Sequence, residues 1–283
     1  ESYVGNWLAE RGCREEIVLA TKVASRAENL EASRHIRGGP RLNRDQIRRA
    51  LEGSLRRLRT DYIDLYQVHW PERPANFFGK LNYEHKICEN IIPISETLDA
   101  LAELVDEGMV KHIGISNETP WGLHEYLRLS REKSMPRLVS IQNAYNLLTR
   151  AYEVGLAEMG LRESVGLLAY SPLAFGVLTG KYLANQLPEN SRLALWSRFS
   201  RYSSELATSA TQAYLEVAKK HSMSLAEMSL AFICCQPFVA SCLIGATTME
   251  QLKENISSSD LILSAEILDD IGKVNSKFPS PAA

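Results

Sequence analysis

No apolar run in this 283-residue sequence approaches the roughly eighteen residues that a membrane-crossing helix requires. An excess of one charge is missing too, since 32 Lys and Arg face 34 Asp and Glu, for a formal net charge of −2. That balance argues against nucleic acid as the main partner. Cysteine is sparse: Cys13, Cys88, Cys234, Cys235 and Cys242 are five, scattered and without Cys-x-x-Cys spacing. The pattern speaks against a disulfide framework and a zinc site, and fits reduced thiols in a cytosol-like compartment. No Gly-x-Gly-x-x-Gly follows a strand-like stretch, which excludes the usual open dinucleotide-binding sheet. No signal or transit sequence is read at the start. The chain opens without methionine in a helical pattern, with Val4, Trp7 and Leu8 on one face and Gly12 as its stop. The expectation is that further chain precedes Glu1. Cytosol is the default location, and a plastid stays open as the alternative.

What is present is alternation. The stretch Asp61-Tyr-Ile-Asp-Leu-Tyr-Gln-Val-His69-Trp70 reads as a buried strand that ends in a histidine. Further strands are expected over 16–23, 112–117, 138–143, 166–172 and 239–246. Helices are expected between them, over 43–58, 93–107, 151–162, 204–221, 224–235, 249–258 and 265–277, with another from Thr119-Pro120. Ile47, Leu51, Leu55 and Leu58 form the inner face of the first of these. Arg44, Arg48, Arg49, Arg56 and Arg57 read as its solvated face. Residues 71–92 and the stretch after 173 are long loops, of the kind that serve as lids or binding loops. Six strand–helix units without a linker predict one parallel α/β domain over 1–283. Six units with an opening half-helix predict a (β/α)8 barrel whose first two strands lie before Glu1.

Polar residues recur at the strand ends: Lys22, His69, Ser116 with Asn117, Gln142, Tyr170 with Ser171, and Gly245 to Thr247. In a barrel those ends share one rim. Capping alone explains any one of them, but not the set. Lys22 supplies a fixed charge that depresses the pKa of a neighbouring acid. His69 donates to a polarised oxygen or relays a proton. Asn117 and Gln142 suit a carboxamide, and Tyr170 offers a flat face to a heterocycle. Ser171 and Gly176 allow close approach to a pyrophosphate. The Gly245 turn at a helix start is a candidate anion site.

These stretches, taken in order, resemble the aldo-keto reductase family. They are Ala-Thr-Lys22, Asp-Tyr-Ile-Asp-Leu-Tyr-Gln-Val-His69, Gly-Ile-Ser116-Asn117, Ile-Gln142-Asn, Ala-Tyr170-Ser-Pro-Leu, Leu-Thr-Gly180-Lys-Tyr and Ile-Gly245-Ala-Thr-Thr-Met-Glu-Gln251-Leu-Lys-Glu254-Asn255. The insertion His69-Trp-Pro-Glu-Arg-Pro-Ala-Asn-Phe-Phe-Gly-Lys-Leu81 resembles the Tas-like branch. The resemblance implies NADPH-dependent reduction of a small-molecule carbonyl on a (β/α)8 barrel. It makes Lys22 the lysine that tunes a catalytic tyrosine and His69 the residue that orients the carbonyl. Ser116, Asn117 and Gln142 would hold the carboxamide, and Tyr170 would stack on the nicotinamide. Ser171, Leu173, Gly176 and Lys181 would line the pyrophosphate, and Arg192 would meet the 2′-phosphate. Gly245, Thr247, Gln251, Glu254 and Asn255 would surround the adenosine. The family's catalytic aspartate and tyrosine have no counterpart in residues 1–283, so impaired chemistry is expected of this stretch alone. The alternative is a non-catalytic, nucleotide-binding regulatory subunit.

Overall fold

The computed structural model describes residues 1–27 and 30–282. Among these, six strands form one sheet in chain order: β1 (Ala20–Val23), β2 (Ile63–Val68), β3 (Val110–Ser116), β4 (Leu138–Ala144), β5 (Gly166–Tyr170) and β6 (Val239–Cys242). The β1–β2, β2–β3, β3–β4 and β5–β6 pairs are parallel. Parallel strands in sequence order with helical crossovers are the α/β arrangement of a (β/α)8 barrel, as the alternation predicts. The described residues fall into two compact units: Glu1–Phe77 with Asn82–Gln142, and Phe78–Leu81 with the chain from Asn143 onward.

In the first unit, α1 (Ser2–Arg11) precedes β1, and α2 (Leu30–Ser33) and α3 (Arg44–Leu58) lead to β2. Asn43 caps α3 by accepting from the Gln46 N–H. Ile47, Leu51 and Leu58 bury its inner face, as their spacing predicts. Its outer arginines are exposed or half-buried and ion-paired: Arg44 with Glu103, Arg48 with Glu107, Arg57 with Glu1. After β2, residues 71–92 hold no regular helix or strand. Then α4 (Ile94–Asp106) buries Leu98, Leu101 and Leu104, and α5 (Pro120–Lys133) starts at a Thr119 cap with Pro at its first position.

Two expectations change here. Strand β1 begins at Ala20, not residue 16, because Arg14–Glu16 form a 3₁₀ turn. Arg14 holds that turn by donating to the Ile17 and Tyr62 carbonyls and pairing with Asp64 at 2.8 Å. In α1, Leu8 is buried but Val4 and Trp7 are 43% and 45% exposed, so the three do not share a core face. The face is set by Gly5, where an added Cβ would fall 2.2 Å from the Arg57 carbonyl oxygen on α3.

In the second unit the expected helix over 151–162 is two pieces, a 3₁₀ turn at Ala151–Val154 and α6 (Leu156–Arg162). Gly155 separates them with non-helical angles. Beyond β5 come α7 (Arg192–Leu195), α8 (Glu205–Lys220) and α9 (Leu225–Cys234), then β6, α10 (Met249–Ser257) and α11 (Ala265–Lys277). Ser224 and Glu227 make a reciprocal capping box at α9. Strand β6 ends at Cys242, short of the expected 246, and residues 244–251 are exposed. Tyr145 centres the core, edge-on to Phe238 at 5.3 Å and stacked near Phe232 at 6.2 Å. The tail is tied down by the Ala282 N–H, which donates to the Leu148 carbonyl at 3.1 Å.

Candidate active site and nucleotide-binding residues

In the first unit the strand ends carry an ordered set of polar groups. Thr21 bonds Glu1 of α1, so Lys22, its neighbour in the alternation, faces the other side of the sheet. Tyr66 faces α3, its hydroxyl reaching the Ile47 carbonyl, so Gln67 and Leu65 share the side of Lys22. His69, two residues beyond Gln67, follows it, anchored by its own N–H on the Val23 carbonyl at 3.0 Å. Burial first, and the Lys22 charge second, push the His69 imidazole down to about 4. Burial also lowers Lys22 below the ordinary lysine value. At neutral pH this histidine is therefore uncharged, with one N–H to donate, beside a cation.

Asn117 holds the strand ends together. It sits at φ 53, and its amide nitrogen donates to the His69 carbonyl at 2.9 Å and to Ser116 Oγ at 3.1 Å. Ser116 Oγ donates in turn to the Gln142 carbonyl at 2.7 Å. The Asn117 N–H bonds the same carbonyl at 3.0 Å. Lys22, His69, Ser116, Asn117 and Gln142 are thus brought to one end of β1–β4. Among the described residues the side-chain amide of Gln142, 8% exposed, makes no hydrogen bond.

A cavity of about 280 Å³ in the same unit is walled by Pro71, Ile92, Pro93 and Ile94 with Trp121 and Tyr126, and none of the strand-end set lines it. Its charged lining is already satisfied. Arg73 grips Glu118 through both guanidinium nitrogens, at 3.1 and 2.6 Å, and lies 4.6 Å over Trp121. Arg41 pairs with Glu72 at 2.6 Å.

In the second unit, Tyr170 ends β5 and is half-buried, with Arg201 bonded to its hydroxyl. Ser171 follows at φ 55, and its carbonyl accepts from Asn146 Nδ2 at 2.9 Å. Asn146 is wholly buried and also bonds the Tyr202 hydroxyl and the Leu148 N–H. Sequence reasoning passed over this brace, because nothing local marks an Asn beyond a strand end as buried. The Leu173 carbonyl accepts from Gly176 at 2.8 Å and Leu178 at 3.2 Å, which folds residues 173–178 into tight turns. Gly176 has φ 94, and a Cβ there would fall 3.0 Å from Lys181 Nζ. Glycine thus lets the lysine close over the turn. Arg192 opens α7 and lies 5.6 Å from the Phe175 ring and 5.4 Å from Phe199.

The last group lies at the start of α10. Nothing stands within 4 Å of where a Gly245 Cβ would be, so the turn is open. Thr248 is the cap, and Thr247 bonds the Gln251 side chain through N and Oγ1 at 3.0 and 3.1 Å. Asn255 Nδ2 reaches the Gly245 carbonyl at 3.5 Å. Glu254 accepts from Ser224 at the α9 cap, 2.8 Å away. Elsewhere His221, Glu266 and Asp270 converge within ligand-like reach of one another, but Lys220 bonds both carboxylates, at 2.9 and 2.7 Å.

A strand-end histidine held neutral beside a lysine thus stands at the end of a parallel α/β sheet, where folds of this class place their chemistry. The family model "Aldo/keto reductase family" matches residues 1–276, and the chain belongs to that family. It is 50% identical over 282 residues to Protein tas of Escherichia coli (strain K12), covering 100% of this chain and 81% of that protein. It is 41% identical over 257 residues to an aldo-keto reductase of Babesia bovis, covering 86% and 90%. It is 32% identical over 251 residues to the L-glyceraldehyde 3-phosphate reductase of Escherichia coli (strain K12), covering 87% and 65%. No helix among the described residues is long and apolar enough to cross a membrane.

Proposed function

We propose that this protein reduces aldehydes or ketones to alcohols with NADPH as reductant. The observation that carries the reading is the pairing of Lys22 with a His69 that stays neutral down to about pH 4. A neutral imidazole N–H polarises a carbonyl oxygen without first giving up its proton, which keeps the arrangement intact through the physiological range. The Lys22 ammonium adds a positive field where charge gathers on that oxygen. Bound NADPH would supply the hydride to the carbonyl carbon, and the oxygen that gathers charge would take its proton from water.

The residues fit such a nucleotide in three respects: an unpartnered Gln142 amide, a glycine pinch closed by Lys181, and an open turn at Gly245 before a capped helix. On this reading Ser116, Asn117 and Gln142 hold the carboxamide and Tyr170 stacks on the nicotinamide. Asn117 does so while fixing the His69 backbone. Ser171, Leu173, Gly176 and Lys181 line the pyrophosphate, and Arg192 takes the 2′-phosphate. Gly245, Thr247, Gln251, Glu254 and Asn255 surround the adenosine. The relative named for L-glyceraldehyde 3-phosphate supports an aldehyde among the substrates.

The test is a fluorescence titration with NADPH and NADH, followed by NADPH oxidation with a panel of aldehydes and ketones. Saturable quenching that prefers NADPH is expected, with slow turnover of at least one carbonyl, in keeping with the impaired chemistry expected of residues 1–283. Binding without turnover of any carbonyl would favour the regulatory alternative, and no binding by folded protein would sink both.

A further inference from the structure

Below the strand ends a second row crosses the same face of the sheet. Lys22 is in register with Gln67, Gln67 with Gly114, and Gly114 with Ser140. Register partners on parallel strands lie about 4.8 Å apart with side chains on the same side. The face is confirmed at Gly114, where a Cβ would fall 2.9 Å from Ser140 Oγ and 3.2 Å from Leu65 Cδ1.

This row is polar where a barrel interior is ordinarily branched and apolar. Gln67 is 0% exposed, and neither its amide nitrogen nor its amide oxygen has a hydrogen-bond partner. The Ser140 hydroxyl, 5% exposed, is unpartnered as well. Buried polar groups are almost always paired, so an orphaned amide beside an orphaned hydroxyl marks a place with a task. Burial lowers Lys22 below the ordinary lysine value, and among the described residues no carboxylate is paired with it. Lys22 lowers the His69 pKa through its charge, and His69 follows Gln67 on the same face, so the ammonium acts on that face. The neighbouring carboxylates are engaged on the other side, Glu1 with Thr21 and Arg57, Asp64 with Arg14 and Lys111.

We propose that Gln67 is a positioning residue for Lys22. The Lys22 ammonium donates to a bound water, and that water donates to the Gln67 amide oxygen and shares a hydrogen bond with the Ser140 hydroxyl. Such a water has three polar atoms from the row within its reach besides the ammonium, which meets the usual requirement of two to four partners. The contact holds Lys22 charged and aimed at the strand-end site. The inference rests on the role proposed for Lys22 above, but its test needs neither cofactor nor substrate.

Lys22 acetylation by acetic anhydride, followed by mass spectrometry across a pH series, reads the titration of this one amine. In Gln67→Leu the half-reaction pH of Lys22 should fall by roughly one unit, since the charged form loses its acceptor. In Gln67→Glu it should rise, and in Ser140→Ala it should fall by less. Lys111, on the opposite face, should not move. Gln67→Leu should melt no lower than the parent, because an apolar side chain of similar size replaces an unpaired amide. An unchanged Lys22 titration in folded Gln67→Leu and Gln67→Glu overturns the proposal. Should Gln67→Leu fail to fold, an unchanged titration in Ser140→Ala and Gln67→Glu does the same.

Discussion

His69 shows what one residue contributes and what it costs. Its folded-state pKa of about 4 lies below the ordinary histidine value of 6.5, so the unfolded chain binds a proton more readily than the folded one. Stability from this group is therefore complete above about pH 6.5 and is lost as pH falls toward 4, by up to about 3 kcal/mol. Urea denaturation at intervals from pH 7 to 4 checks this. The parent should lose more stability over that span than His69→Gln, and equal losses would show that His69 is not held neutral by the fold. Lys22 and His69 were legible as candidates because titratable residues at the ends of apolar strands stand out. Gln67 was not, although it sits two residues before His69 inside the same quoted stretch. Period-two reading places it on the inner face, but only the partners across three neighbouring strands reveal that its amide is unmet.

At the scale of elements, contact between backbones decides more than side-chain pattern. Gly5 of α1 lies against Arg57 and Leu58 of α3, with an added Cβ only 2.2 Å from backbone. Gly5→Ala, ordinarily favourable in a helix, should instead destabilise by about 1–3 kcal/mol. A lower urea midpoint with unchanged slope would bear this out, and a raised midpoint would mean that the two helices separate freely. The loop after β2 depends on a different bond. The Glu118 side chain is 3% exposed and bridged to Arg73. Arg73→Met removes that cation while the Thr119 N–H still bonds the carboxylate at 2.6 Å, so a loss of about 1–3 kcal/mol is expected, whereas Arg73→Met with Glu118→Gln should recover part of it. The same distinction explains what the sequence conveyed. Helices α3, α4 and α5 were legible from apolar spacing and caps. The break at Gly155, the late start of β1 and the misassigned face of α1 were not, since each is set by a non-local partner or a glycine angle.

For the whole molecule, the strand–helix alternation was enough to predict a parallel barrel, because that order admits few arrangements of the sheet. The nucleotide assignments rest on chemistry that only ligand binding can test. A nucleotide that binds the folded chain alone stabilises it by about 2.7 kcal/mol at a hundred times its Kd. For a chain of this size that is a rise in Tm of roughly 5 °C or more. Arg192 is proposed as the group that distinguishes the two nucleotides, and its guanidinium lies 5.6 Å from the Phe175 ring and 5.4 Å from Phe199, with no carboxylate paired to it among the described residues. It therefore keeps its hydrogen-bonding capacity for a phosphate, which a paired arginine would not. At equal concentration NADPH should raise Tm more than NADH. In Arg192→Ala the NADH shift should persist while the NADPH advantage collapses, because only the 2′-phosphate distinguishes the two ligands. Equal shifts in the parent would remove the NADPH assignment and leave a nicotinamide-nucleotide site without preference. An advantage that survives in the variant would move the 2′-phosphate contact to another cation, with Lys181 the next to replace.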